Sequence, residues 1–572
     1  MKEILNILKT LPEYQTLLEC VETDSTVALT GIGQINRSHI ISALSLHTDR
    51  PLVVICQDEM AAKRLQGELS AFTGENFPLL PSRELTLYDS VVVSRGWEQK
   101  RLRQLYDLME NRTRLQIMSW ESLAIRTMPP ADLKKSVFTL TVGKEYNLES
   151  LITRLTEAGY SRCSMVEGPG QFAVRGGILD VFSPALDLPF RAEFFGDELD
   201  TIGFFDVDSQ RRTENIDEVV LLPVGETQPS LHNDGIVGLC GDLEHFISRQ
   251  RRRKTPNDAL ISTLEKDLDK YKNNIQNAAS DRYMALIYPE FTCAADYIPK
   301  DAAVILCDHS NLKKACRTFE DEMGLALDGL LQTGAVAGEM CDFTCQWEDF
   351  CGRLTDRPVI YLDSFAGAAY PEDRQPKKLM SLAAKQLPSY GGNLDTAASD
   401  LAHYQKLSFA SVVLCGSRRR AELLQELLKE RSVNANICIP LETLPKAGQI
   451  FLCEDTIPFG MEYPTLQFAV LTEGQLLSKS APKKKAKAAT NRQKLNAFTD
   501  LTPGDLVVHE NYGIGRFVAM EQIRLDGVIK DYIKIANRRG VQEDGHDLVP
   551  ERGAHPLHGR ARAGHRAHHL DD

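Results

Sequence analysis

Two runs of short, wholly apolar strands alternating with helical segments bracket a stretch that breaks the pattern. This interruption constrains the fold more than any other feature. Val27-Ala28-Leu29-Thr30 and Leu52-Val53-Val54-Ile55-Cys56 read as buried strands, and Ala61 to Ala71 and Trp97 to Met109 have helical spacing. Strands apolar on both faces, alternating with helices, predict a parallel sheet covered on both sides. From about 138 to 224 strands dominate, with one helix near Leu148 to Ala158, and Ala302 to Asp308 then returns to a buried strand. The pattern predicts one α/β domain (residues 1–136 and 225–352) split by an inserted α+β domain (137–224). At 572 residues the chain exceeds a single core, so several domains are expected.

A second α/β unit is expected over 357–475, with strands Val359-Ile360-Tyr361-Leu362, Ser411 to Cys415 and Phe468 to Leu471, and a helix over Arg419 to Arg431. Residues 478–498 are rich in Lys and Ala and predict a solvated basic linker. Then Gly504 to His509 and Gly515 to Met520 flank a glycine turn, and Asp526-Gly527 joins that strand to Asp531 to Ile535. Asp-Gly between alternating strands signals a hairpin, so 499–535 predicts a small SH3-like or Tudor-like barrel. From Ala536 to Asp572 large apolar residues are scarce and six of the thirteen histidines occur. This tail is expected to be disordered, leaving the barrel incomplete with an open edge.

Within the insertion, Gly170-Gln171-Phe172-Ala173-Val174-Arg175-Gly176-Gly177-Ile178-Leu179-Asp180-Val181-Phe182 reads as a hairpin, its turn made by the glycine pair. In the next strand, alternation puts Phe190, Ala192 and Phe194 on a core face and Arg191, Glu193 and Phe195 on the other. Arginine beside an exposed aromatic is the composition of a docking surface. The competing reading is that Arg175 and Arg191 only pair with acids such as Glu193.

Gly31-Ile32-Gly33-Gln34-Ile35-Asn36-Arg37-Ser38 follows a strand and precedes a helix, where a phosphate-binding loop of form GxxxxGKS sits. Asn36 replaces its second glycine and Arg37 its lysine. The acidic strand end that would hold Mg²⁺ is reduced to Asp308 followed by His309. Losses in both motifs favour a degenerate nucleotide fold kept as scaffold, without catalytic residues of its own.

The net charge of -13 argues against a surface that coats nucleic acid throughout. No apolar run is long enough to span a membrane. Leu5, Leu8, Leu11 and Leu17 have the spacing of a surface helix, not a signal peptide. The thirteen scattered cysteines predict reduced cytosolic thiols, no metal site and a cytoplasmic protein.

The order of these motifs, with Leu85-Thr86-Leu87-Tyr88, Ser94 to Glu98, Leu471 to Leu476 and Gly504 to Phe517, resembles the N-terminal part of the bacterial transcription-repair coupling factors (Mfd) over about residues 1–535. The resemblance implies a UvrB-like first module whose inserted domain binds UvrA through Arg175, Arg191 and Phe195. It implies a CarD-like module that adds a strand edge to the RNA polymerase β subunit, with Met520, Ile523 and Leu525 as the expected surface. In full-length members ATP and Mg²⁺ drive a DNA translocase that displaces stalled polymerase. No intact motor motif occurs in this sequence, which leaves the family pattern at Ala536 as a truncation or shifted frame would. No cofactor is therefore expected here, and DNA contact is expected mainly through the motor. The alternative function is a UvrB-like DNA-damage helicase subunit, which would require the lysine and second acid that are missing. A regulator built around the barrel alone would leave the long first half without a role.

Overall fold

The computed structural model describes residues 1–88, 96–273, 275–365, 370–371 and 374–477, and beyond these the backbone of four strands between 506 and 550. Strands β1 (Thr26–Thr30), β2 (Leu52–Cys56) and β3 (Leu115–Ser119) are each buried throughout. Their helices are set by local signals. Asp58 accepts from the Ala61 amide at 2.7 Å to start Glu59–Thr73, and Gly74, at φ +75°, ends it.

The chain then enters the insertion through β4 (Phe138–Thr141) and leaves it through β11 (Glu218–Leu221), and the two pair antiparallel as a stem. Between them run β5 (Ser161–Arg162), β6 (Gln171–Arg175), β7 (Ile178–Val181), β8 (Phe190–Phe195), β9 (Glu198–Phe205) and β10 (Arg212–Ile216). These form a six-stranded sheet in the order β10-β9-β8-β7-β6-β5. The helix Leu148–Glu157 packs Leu151 and Leu155 onto its inner face with Phe172, Leu179, Phe190 and Ala192.

After the insertion come β12 (Ala303–Cys307), β13 (Val359–Leu362) and β14 (Lys378–Ser381). The first sheet has the order β14-β1-β13-β12-β2-β3, and every pairing is parallel. This corrects the expected boundary at residue 357. Val359–Leu362 lies between β1 and β12, at the centre of the first domain and not in the second. A four-residue apolar strand carries no signal for which sheet it joins.

The second α/β unit thus contributes β15 (Lys385–Gln386), β16 (Ala410–Cys415), β17 (Asn436–Ile437), β18 (Ile450–Glu454), β19 (Met461–Tyr463) and β20 (Phe468–Thr472). One apolar cluster joins Val412, Tyr463 and Phe468 of this unit to Val27, Ile41 and Val54 of the first. The N-terminal leucines belong to it too. Two segments, Lys2–Asn6 and Pro12–Glu22, replace the single surface helix expected, and Leu5, Leu8, Leu11 and Leu17 are buried.

Residues 480–572 form a separate compact unit. Its described backbone is β21 (Leu506–His509), β22 (Gly513–Leu525), β23 (Val528–Asn537) and β24 (His546–Pro550), antiparallel in that order. The β22–β23 hairpin is the one signalled by Asp526-Gly527. The unpaired end expected past Ala536 is corrected: β23 continues to Asn537, and β24 pairs with it, Leu548 opposite Lys534 and Val549 opposite Ile533. Ladder bonds are made by backbone, so a sparse apolar composition did not reveal this strand. The basic linker, and residues 538–545 and 551–572 of the tail, lie outside the described residues.

Candidate protein-binding site

The β6–β7 turn needs its glycines for two reasons. Gly176 has φ +61°, and a Cβ on Gly177 would sit 2.8 Å from the Phe194 carbonyl oxygen of β8. The tight turn sets a register that pairs Ala173 with Asp180, and Asp180 in turn with Arg191. One face of the sheet therefore carries Arg175, Asp180 and Arg191 as neighbours.

Asp180 is the residue that sequence reasoning missed. Its side chain is 1% exposed and accepts three charge-assisted hydrogen bonds. Arg191 Nε donates to Oδ1 at 2.7 Å and Nη2 to Oδ2 at 3.0 Å, and Arg175 Nη2 donates to Oδ2 at 2.5 Å. The Arg191 guanidinium also lies 5.0 Å from the Phe205 ring centre. The bond to Asp180 holds the Arg191 pKa above its ordinary value. The pairing with an acid that the competing reading expected is present, but Asp180 makes it; Glu193, the acid named there, faces Arg212 at 3.8 Å. The signal for Asp180 was a lone acid inside the apolar run Ile178-Leu179-Asp180-Val181.

Phe190 and Ala192 are buried as alternation required, and Phe194 is half-buried against the same core. Phe195 is 84% exposed at the end of β8, where Gly196 turns the chain at φ +65°. The face thus presents an uncovered benzyl group, a half-exposed Arg175 and an Arg191 locked by a buried carboxylate.

The degenerate loop has a different character. The helix begins at Gln34, so Asn36, Arg37 and Ser38 are helical, and the Arg37 amide is bonded to the Gly33 carbonyl at 3.0 Å. A Cβ on Gly31 would lie 2.9 Å from the Leu382 oxygen, so the chain entering the second unit packs over the loop. Asn36 is fully buried. Arg37 lies 3.5 Å from Asp308 and donates to Ser364 at 3.1 Å, while Ser364 donates to Asp308 at 2.9 Å. The Ser38 hydroxyl donates to the Glu68 carboxylate at 2.5 Å. Burial pushes the Glu68 carboxyl up. His309, in place of the second acid, is stacked on Tyr370 at 4.4 Å and bonds Asp363 through Nδ1 at 2.9 Å. The groups that would meet phosphate and Mg²⁺ are engaged with one another.

In the C-terminal unit, Met520, Ile523 and Leu525 lie on β22, opposite Ile533, Lys530 and Val528 of β23. β21 pairs only with Gly513–Arg516. Among the described residues, the other edge of β22 is unpaired from Phe517 to Leu525.

The UvrB interaction domain family matches residues 138–226, the insertion with its stem. The CarD-like/TRCF RID domain family matches residues 501–541. The transcription-repair-coupling factor of Bacillus subtilis (strain 168) is 24% identical over 541 residues, 94% of this chain. The chain resembles the transcription-repair coupling factors. That of Staphylococcus haemolyticus (strain JCSC1435) is 26% identical over 524 residues, 91% of this chain. The chain spans 45% and 44% of the length of these two relatives.

Proposed function

We propose that this chain is an adaptor of transcription-coupled DNA repair that joins a stalled RNA polymerase to UvrA of nucleotide excision repair. The observation that carries the reading is the face of the inserted sheet. Exposed Phe195 stands on the same strand as Arg191, which Asp180 fixes together with Arg175. An aromatic anchor beside oriented guanidiniums is suited to a partner offering an apolar pocket rimmed by acids. Arg175, Arg191 and Phe195 are its contact residues.

In the C-terminal unit, the edge of β22 containing Met520, Ile523 and Leu525, unpaired among the described residues, supports strand addition to the polymerase β subunit. The chain itself turns over no nucleotide, a reading supported by the Arg37–Asp308 and Ser38–Glu68 contacts. ATP and Mg²⁺ belong to the motor of the full-length family, as does most DNA contact. We place the protein in the cytoplasm; among the described residues no helix is long and apolar enough to cross a membrane.

Hydrogen-exchange footprinting of the chain with purified UvrA tests the reading. Protection is expected on β7, β8 and the turn to β9. Protection confined to other elements, or no complex, would overturn it. The same experiment with the polymerase β subunit should protect Phe517 to Leu525.

A further inference from the structure

Cys56 and Cys307 end the neighbouring parallel strands β2 and β12, whose register pairs Leu306 with Ile55. They are the next residues in that register, on strands about 4.8 Å apart, within the Cα separation that a disulfide spans. Both line a cavity of about 230 Å³ whose wall also carries Arg37, Ser38, Glu68 and Asp308. Both are buried, at 3% and 6% exposure, so the cavity is the route by which a small molecule would reach them.

We propose that Cys56 and Cys307 form a peroxide-reactive thiol pair, oxidised to an intrachain disulfide beneath the degenerate loop. The roles of the two sulfurs differ. The neighbouring Cys56 thiol and the Arg37 guanidinium favour the Cys307 thiolate against burial and the charges of Asp308 and Asp363. The pKa of the Cys56 thiol is held up by its Cys307 neighbour and by burial. Cys307, next to the Asp308 that Arg37 faces at 3.5 Å, is assigned as the attacking sulfur and Cys56 as the resolving one.

The Cys307 thiolate attacks one oxygen of hydrogen peroxide. The O–O bond breaks, and the leaving hydroxide takes a proton to become water. Cys307 is then a sulfenic acid. Cys56 sulfur attacks it, the S–O bond breaks, and a second water leaves with the Cys56 proton. Two thiols and one peroxide thus give one disulfide and two waters. A small thiol restores the pair by exchange. A metal is not the occupant this pair suggests: among the described residues no three His, Cys, Asp or Glu side chains are grouped to hold one.

A second pair of neighbouring thiols supplies an internal control. Cys293 and Cys345 are 0% and 1% exposed, in the same apolar cluster as Trp347 and Phe350. The test treats the folded full chain with hydrogen peroxide, blocks free thiols, and maps peptides without reduction. A Cys56–Cys307 cross-link is expected, forming at least about tenfold faster than any Cys293–Cys345 link. In the Cys56→Ser chain, a dione probe should trap sulfenic acid on Cys307. Arg37→Gln should slow the reaction several-fold with the far-ultraviolet signal unchanged. Absence of the cross-link in the folded chain, equal rates at both pairs, dione labelling of another cysteine first, or an unchanged Arg37→Gln rate would overturn the proposal.

Discussion

Replacing Asp180 by asparagine keeps the shape of the side chain and removes the charge on which two arginines converge. Removing one partner of a fully buried ion pair costs about 3–5 kcal/mol, because a charge is left unpaired out of water. Here Arg191 is 19% exposed and Arg175 is 50% exposed, so solvent recovers part of the loss. The Arg175 bond contributes little, and the two-pronged Arg191 contact dominates. The expected cost is about 2–3 kcal/mol, centred on β7 and β8. At about 1.4 kcal/mol per decade, this is a roughly 30–150-fold acceleration of amide exchange in those strands. Removing the orphaned charge as well should restore part of the stability. Asp180→Asn with Arg191→Gln should therefore cost at least about 1 kcal/mol less than the sum of the two. Exchange within about threefold of the parent, or strict additivity of the two changes, would refute the role given to Asp180.

Calorimetry with Mg-ATP should give no saturable heat at the Gly31–Ser38 loop; a dissociation constant below about 100 µM would contradict the contacts described there. His39, enclosed between Tyr463 Oη and the Ile4 carbonyl, is held by burial at a pKa of about 4. The unfolded chain therefore binds more protons between about pH 6.5 and 4, and His39 removes up to about 3 kcal/mol of stability as the pH falls through that window. Chemical denaturation at pH 7 and 5 should show a smaller difference for His39→Phe than for the parent, and an equal difference would sink the assignment. Gly177→Ala forces a Cβ against the Phe194 oxygen and should loosen the insertion by about 1–2 kcal/mol, read as a lower melting temperature; an unchanged melt would mean that the turn relaxes freely.

Periodicity made the architecture legible where a strand was long enough to carry its own pattern. β1, β2, β12 and β16 all announce themselves as buried runs, and the change of pattern near residue 138 locates the insertion to within a residue or two of its stem. β13 shows the limit: its residues are correctly a strand, but partnership is a property of the assembled sheet. β24 was hidden because backbone pairing tolerates Asp and His. At the site, alternation exposed Phe195 and placed Arg191 on its face. It could not foresee that Asp180, one strand away, would take both arginines. That contact depends on the β7–β8 register, which the Gly176-Gly177 turn and the packing of Phe190 fix only after folding. At the degenerate loop, Asn36 and Arg37 signalled the loss of phosphate binding, whereas the Glu68 contact joins residues thirty positions apart and left no local mark.

The recruiting role proposed for the insertion rests on Phe195, whose side chain is exposed at the end of β8. Affinity for purified UvrA should be measured for the chain and for its Phe195→Ala variant, with the melting temperature of each as control. The account predicts equal melting temperatures and a loss of at least about 2 kcal/mol, roughly thirtyfold in dissociation constant. Equal affinity of the two would contradict it.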